Sequence, residues 1–484
     1  MSLILVPLIP LAAVLISLVP LGKRFAPAVT LVAGIATFVL ALRESLRVVS
    51  DHQVSAIAGW VELDGMGATL LLLNAFVGAT AALYSWGYIG AHGYEARRVR
   101  SYYAHFNLFV FSLVLVPVLA QPAFVWIAIE FTSLFSVLLV AFDNTHAALE
   151  AAWKYIALMF AGAAIALLGF FILFWAQQGA GGGHYSWGGL RAIAQQMPTV
   201  LVMAAFLLVM VGLGVKVGFV PMHTWLPDAH SQAPSPVCAL LSGVKTTNSL
   251  YVILRMGSLL PLATVQPWME VVGLISVAVA SFLLLQVRDY KRLFAFSTVE
   301  HMGIIFVAVG LGAPGGGYGA MLQMVSHSLT KSFCFFAAGA ALLVVGTREI
   351  ASVRGLIRTS PVAGAALLFG ALAIGGAPPF AVFLSEFFIF RAGVAQQHYF
   401  VTALLVIFII VAFFGILLHV NRMVFGRPAE NPAPARAHAV LPRTCVLTLI
   451  LAAIPVLVLG VYQPRWLHAL LTLAASNLNP LAPP

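Results

Sequence analysis

Residues 212–249, GLGVKVGFVPMHTWLPDAHSQAPSPVCALLSGVKTTNS, hold two lysines in apolar sequence, Lys216 and Lys245, on either side of a proline-broken segment. Pro221 and Pro227 interrupt what would otherwise be one membrane-length run. Proline removes a backbone hydrogen bond and kinks or breaks a helix. Freed backbone groups are tolerated at membrane depth only where protein or a watery cavity satisfies them. A charge at mid-bilayer costs roughly 3 kcal/mol on insertion scales, so lysines beside such a break need a purpose. Lysine gives up its proton when desolvated and arginine effectively does not. Four of the chain's six lysines (Lys154, Lys216, Lys245, Lys331) lie in apolar runs, whereas the arginines fall almost entirely at the ends of runs. That distribution points to proton handling within a membrane.

The rest of the chain fits this setting. It has 484 residues, 62% hydrophobic and 8% charged, with a mean hydropathy of +1.02, and reads as an all-α polytopic membrane protein. The run after Met1 has no basic leader and no cleavage site, and reads as the first span. The net charge of +10 is scattered over short loops with no aromatic-interleaved cluster, which makes it a topology signal and excludes nucleic acid. Cys238, Cys334 and Cys445 are isolated in apolar runs, so neither a metal cluster nor a disulfide framework is expected.

Apolar runs separated by charged or Pro/Gly-rich breaks give about 14 transmembrane helices. They lie near 2–21, 26–43, 66–90, 103–120, 122–142, 150–175, 199–226, 235–262, 266–287, 293–312, 317–346, 361–391, 400–424 and 441–463. Loops after odd-numbered spans carry most of the basic residues, at Arg97–Arg100, Arg288–Arg292, Arg348–Arg358 and Arg422–Arg443. The positive-inside rule makes those loops cytoplasmic and sets both termini outside. Segment 44–65, with Trp60, Glu62 and Asp64, is too polar to span and is expected to form a small external hairpin. The Gly-rich loop 177–198 reads as a connector rather than a phosphate cradle, having no strand before it.

Two segment pairs match at fixed offsets. Lys154-Tyr-Ile-Ala-Leu-Met-Phe-Ala-Gly-Ala-Ala through Gly169 aligns with Lys331-Ser-Phe-Cys-Phe-Phe-Ala-Ala-Gly-Ala-Ala through Gly346, 177 positions on. Gly212, Pro221, Leu226 and Asp228 align with Gly370, Pro379, Leu384 and Glu386, 158 positions on. Five spans separate the members of each pair, so equivalent segments run in opposite directions, an inverted repeat. Four segments follow: residues 1–102 (helices 1–3), 103–262 (first repeat, helices 4–8), 263–424 (second repeat, helices 9–13) and 425–484 (helix 14 and tail). Pro378-Pro379 makes span 12 a second broken helix.

Ionisable groups cluster on these spans. Glu130 in WIAIEFTS has an available partner in Lys216; pairing favours both charges and burial favours both neutral forms, so a neighbouring charge can switch the pair. His327 and Lys331 share a helix face in SHSLTK. Lys245 lies in the polar stretch SGVKTTNS, where threonine and asparagine are suited to holding relay water. Glu386 ends the row after the second break. Lys154 has two readings, relay or interfacial snorkel. His223, Asp228 and His230 flank the first break, as gates or as helix caps. Glu300 and His301 are read as interfacial, near the RDYKR loop.

With these residues assembled, the chain resembles the antiporter-like subunits of respiratory complex I and its relatives. WLPDAHSQAPSPVCALLSG after KVGFVPMHT looks like that family's signature, and RDYKRLFAFSTVEHMG, SHSLTKSFCFFAAG and APPFAVFLSEF resemble its later spans. AAWKYI, GTREIASVRGL and PPFAVFLSEF look closest to its hydrogenase-4 component F branch, found in membrane-bound nickel–iron hydrogenase and formate hydrogenlyase-type complexes. The resemblance, over roughly residues 65–425, implies fourteen helices with helices 7 and 12 broken, an input pair Glu130–Lys216, a central relay His327/Lys331 and an acidic terminus Glu386. Lys245 departs from the pattern, standing six residues before Tyr251 where relatives place it four before the aromatic. On an ideal helix that turns its side chain by about 200°. The implied function is proton (alternatively sodium) translocation in the cytoplasmic membrane of a bacterium or archaeon. The expected partners are other membrane subunits and a soluble hydrogenase-like redox arm. Nickel–iron and iron–sulfur centres belong to that arm; no cofactor or metal is expected in this chain, which would itself perform no redox chemistry. The alternatives are a subunit of a multisubunit sodium/proton antiporter, a proton-coupled partner of a bicarbonate-accumulating zinc protein, or a non-transporting scaffold.

Overall fold

The computed structural model describes residues 2–312, 315–427 and 440–478. Arg436, one of the basic loop residues, lies outside the described residues. Among the described residues, twenty helices and one two-stranded hairpin, set between the second and third helices, make up a single helical body. The first group is α1 (Ser2–Ser17), α2 (Phe25–Asp51), α3 (Gly65–Ala91), α4 (Ala96–Leu115), α5 (Pro122–Val140), α6 (His146–Gly179) and the short α7 (Trp187–Ala192). Next come α8 (Thr199–Val217), α9 (Trp225–Gln232), α10 (Ser235–Leu240), α11 (Thr246–Gly257), α12 (Leu262–Leu284), α13 (Tyr290–Gly310) and α14 (Gly315–Val345). The last are α15 (Leu356–Thr359), α16 (Pro361–Ile374), α17 (Ala381–Ala395), α18 (Tyr399–Phe425), α19 (Arg443–Val461) and α20 (Arg465–Leu478). Twelve segments are long and apolar enough to cross a membrane; α1 and α16 are shorter apolar helices, and α16 continues after a break into α17, giving fourteen crossings.

Both expected breaks are present. α8 ends on Gly218, whose φ of +91° favours glycine, and its N–H returns to Gly214 O at 2.9 Å. Six non-helical residues then lead to α9. In the second half Gly376, at φ +76°, follows α16. A Cβ at Gly376 would collide with the Glu386 carboxylate, so the second break and its acid are packed against each other. Crossings 7 and 12 are offset by five, with four crossings between them, so α8 and α16 run in opposite directions, as an inverted repeat requires.

The hairpin forms where expected, with β1 (Val54–Ile57) pairing antiparallel to β2 (Val61–Leu63) and Glu62 Oε1 accepting from Gly59 N at 2.7 Å. Residues 44–51, however, prolong α2 rather than joining the hairpin. Asp64 begins α3, its carboxylate accepting from Gly67 N at 3.0 Å, an ordinary N-cap. The hairpin, α7, α20 and both ends of the described chain lie on one face, called here the hairpin face. The basic loops before α2, α4, α13 and α16 lie on the other. Helix α20 is absent from the sequence expectation because its apolar residues form one stripe (Leu467, Leu470, Leu471, Ala474, Leu478) rather than a continuous run.

Burial separates the helices into two classes. α10, α11, α13 and α14 are enclosed on nearly all sides, while α2, α18 and α19 leave most of their apolar surface facing outward. Water-facing proteins rarely expose Phe400, Trp153 and Val461 in this way; facing lipid, such residues need no partner. Close approach between helices relies on small residues. The carbonyls of Gly162 on α6 and Gly212 on α8 occupy the space each other's Cβ would need. Gly273 on α12 and Gly303 on α13 do the same in the second half.

A candidate proton relay through the enclosed helices

In the first half, the last turn of α8 carries Lys216 into the protein interior beside α5. Its Nζ lies 3.2 Å from both Glu130 carboxylate oxygens and donates to Ser133 Oγ at 2.8 Å. Lys216 is fully buried and the Glu130 side chain is 15% exposed. One turn on from Ser133, Ser136 Oγ lies 2.6 Å from the Tyr155 hydroxyl. The Tyr155 ring then faces Lys245, whose ammonium sits 4.6 Å from it and 4.4 Å from the Trp225 ring. This aromatic cage, with Met159 Sδ at 3.3 Å, presents ring quadrupoles to the ammonium, which has no carboxylate in contact with it. Trp225 opens α9 and donates its indole N–H to Val215 O at 2.7 Å, next to Lys216.

Lys245 therefore points into the site. The π-helical turn Leu241–Lys245 lies ahead of the lysine, and the six residues on to Tyr251 are α-helical, so the angular offset from the relatives' position stands; the rings that meet the ammonium come from α6 and α9. The polar stretch around Lys245 differs from expectation. Thr246 and Thr247 bond back to Ser242 O and Gly243 O, at 2.8 and 3.0 Å. Asn248 is taken by Val244 O and Asn74 Oδ1 at 2.7 and 2.8 Å, so these groups are satisfied by the fold.

The second half is gathered around α14. Lys331 donates to Phe294 O at 2.7 Å and to Ser297 Oγ, both on α13. His327 Nε2 lies 3.2 Å from Ser242 O in the π turn, where Ser242 Oγ also meets Thr298 Oγ1 at 2.6 Å. This contact joins the two halves. Beyond it the His301 ring lies 5.2 Å from that of His327. His301 Nε2 is 3.0 Å from Ile374 O, the last residue of α16, and Nδ1 is 2.9 Å from Gln323 Nε2. Gln323 Oε1 in turn accepts from Ser385, beside Glu386 on α17. A hydrogen-bonded string thus runs from one side of the second break to the other.

Several expectations need correction. Glu300 and His301 are not interfacial: α13 starts at Tyr290, so both sit halfway along it, and both are buried. Lys154 lies at the protein surface, half exposed, paired with Glu150 at 2.6 Å and Asp228 at 3.6 Å. Asp228 is also bound by Arg292 at 2.7 Å, and caps no helix. His230 is fully buried, stacked 4.9 Å from Phe335, with both ring nitrogens lacking a protein partner. His223 lies against Phe296 at 6.3 Å. Residues the sequence reading passed over are Ser133, Ser136, Tyr155, Trp225, Ser297 and Gln323. Ser133 and Ser297 stood three residues from Glu130 and Glu300, a helical spacing that would have found them.

A second charged cluster closes the hairpin face. Arg255 at the end of α11 grips the Asp64 carboxylate with both terminal nitrogens, one of them at 2.5 Å, and Arg191 of α7 approaches it at 3.5 Å. Arg191 also reaches Asn477 O of α20 at 3.4 Å. Burial alone would raise the Asp64 carboxyl, but the Arg255 charge and hydrogen bonds, with Arg191 and Gly67, outweigh it and bring it down to about 2. The stabilisation is therefore complete above the ordinary value of 3.8 and disappears as pH falls through about 2. At about 1.4 kcal/mol per pKa unit it amounts to roughly 2 kcal/mol. Asp64→Asn should lower the thermal midpoint of the detergent-solubilised protein at neutral pH. The variant should also lose the part of the acid destabilisation between about pH 4 and pH 2 that this carboxylate supplies. Identical melting curves for variant and wild type at both pH values would refute the assignment.

Among the described residues no three His, Cys, Asp or Glu side chains are gathered as a metal ion would need. Residues 123–413 match the family described as NADH:quinone oxidoreductase/Mrp antiporter, TM. The chain belongs to this family. It is 37% identical over 414 residues to the hydrogenase-4 component F homolog of Methylacidiphilum infernorum, covering 83% of this chain and 85% of that one. It is 29% identical to NADH-quinone oxidoreductase subunit N of Desulforudis audaxviator, over 96% of each chain. In structure, this antiporter-family chain superposes on a chain of the membrane-bound sulfane sulfur reductase, an archaeal respiratory membrane complex. The TM-score is 0.85 at 23% identity, over 98% of this chain and 97% of that one. The family membership and the fourteen-crossing fold with two broken helices support each other.

Proposed function

We propose that the chain is the antiporter-like, proton-translocating membrane subunit of a redox-driven complex of hydrogenase-4 or complex I type. The observation that carries this is the buried Glu130–Lys216 pair, set at a helix break with a serine on the same ammonium. A change of charge or shape at Glu130 removes the group that balances Lys216. Lys216 then passes its proton along Ser133, Ser136 and Tyr155 toward Lys245, with water completing the gaps. From there the path follows the Ser242 contact to His327 and Lys331, and leaves by His301, Gln323, Ser385 and Glu386. The nickel–iron and iron–sulfur centres belong to partner subunits, so electrons do not pass through this chain. The membrane is the cytoplasmic one, with the hairpin face and both termini outside.

The deciding experiment purifies the complex in mild detergent, identifies its subunits and metals, and measures proton uptake in sealed vesicles. Nickel and iron with redox-driven uptake are expected. Zinc would favour the bicarbonate-linked alternative. Uptake that needs a sodium gradient and no electron donor would favour the antiporter reading, which the family's second named member, the Mrp antiporter, keeps open. The surface position of Lys154 gives a companion prediction: Lys154→Gln should leave proton uptake within about twofold of wild type, because exposed ion pairs contribute little. Loss of uptake in that variant would put Lys154 back into the path.

A further inference from the structure

Glu300 has no role in the path above, yet its surroundings repeat those of Glu130. α5 and α13 are spans 5 and 10, equivalent members of the inverted repeat. Glu130 and Glu300 each stand ten residues before the last residue of their helix, Val140 and Gly310. Each of these two helices holds a buried lysine. Lys216 is held by Glu130 and Ser133 of α5, and Lys331 by Phe294 O and Ser297 of α13. Glu300 lies one helical turn beyond Ser297, with 3% of its surface exposed and Oε2 without a hydrogen-bond partner. The charges that act across this space are those of Lys331 on Glu300 and of Glu300 on Glu386.

The base has changed helix between the halves. The repeat position of Lys216 is Ile374, an apolar residue at the end of α16. The repeat position of Lys331 is Lys154, which stays at the surface. Helix α14 begins about two turns further ahead of its lysine than α6 does, which carries Lys331 deep into the body and leaves Lys154 near a helix start.

We propose that Glu300 is the proton-exchanging carboxylate of the second half, with Lys331 as its base. The two halves then show opposite positions of one switch. Glu130 and Lys216 are joined; Lys331 rests on Ser297 with Glu300 a turn away. A proton arriving on Lys331 is handed to Glu300, restoring the neutral amine and the carboxylic acid. Glu300 releases it toward Glu386 and becomes a carboxylate that draws in the next one. This rests on the transport reading above.

The test uses the assembled complex in sealed vesicles, with Glu130→Gln as reference. Glu300→Gln should lower proton uptake on the order of tenfold or more, as Glu130→Gln does, while the yield of complex is unchanged. Glu300→Asp should restore uptake with a displaced pH profile. Turnover-induced infrared difference spectra should lose a carboxylic C=O band in Glu300→Gln. Wild-type uptake in Glu300→Gln with a dead Glu130→Gln overturns this inference alone; wild-type uptake in both overturns the transport reading itself. Should Glu300→Gln fail to assemble, Glu300→Asp carries the test, and an unchanged pH profile there refutes the assignment.

Discussion

Lys216→Met is expected, in the complex proposed above, to bring redox-driven proton uptake to background while the proposed redox arm keeps part of its turnover. Methionine fills the same narrow space but cannot carry a proton, and the substitution leaves Glu130 without its counter-charge. Removing one partner of a buried pair typically costs about 3–5 kcal/mol, unless the survivor neutralises itself. Glu130 can do so by binding a proton. The double variant Glu130→Gln with Lys216→Met separates folding from transport, since it buries no unpaired charge. It should assemble as wild type does and still take up no protons. Normal uptake by the double variant would remove the pair from the path.

The second large effect is structural. Gly212→Leu places a Cβ against the Gly162 carbonyl and 2.5 Å from Ala166 N. Both obstacles are backbone, so no side chain can turn aside. Helices α6 and α8 must separate, and Lys216 lies one turn further along α8. The subunit should be nearly absent from the purified complex, an outcome in line with the few kcal/mol that overpacking costs. Gly90→Leu is the control, because nothing lies within 4 Å of the Cβ it would gain. Equal recovery of the two variants would show that the close approach of α6 and α8 is not needed.

How much of this could be read from the chain depends on what each residue answers to. Spans announce themselves because lipid demands continuous apolar runs, and Pro221 and Pro378-Pro379 mark the breaks by removing backbone donors. α20 escapes that reading because only one of its faces meets the protein. The end of α2 escapes too, since polar residues 44–51 suit a helix leaving the membrane as well as a loop. Glu300 looked interfacial from its distance in sequence to the RDYKR loop; the helix start at Tyr290 places it at mid-length. Lys154 and Lys331 align in sequence but differ in depth, because repeat alignment carries no information on where each helix begins. The surroundings of Lys245 could not be read from its spacing to Tyr251, because the rings that meet it come from α6 and α9. Pairings such as Trp225 with Lys245 were invisible: an aromatic after a break reads equally well as interface belt, and only the return of α9 brings its ring over the lysine.

Trp225 bears on how such a machine can change over generations. One indole both fastens the backbone beside Lys216 and roofs Lys245. In the proposed relay, any substitution or displacement of that ring would perturb the release of the proton by Lys216 and its reception by Lys245 together. Their rates would then be inherited as a unit, and a lineage could not speed one step at Trp225 without accepting a change in the other. Independent adjustment is left to residues that touch a single lysine, such as Ser133 and Met159, and variation between descendants should accumulate there first.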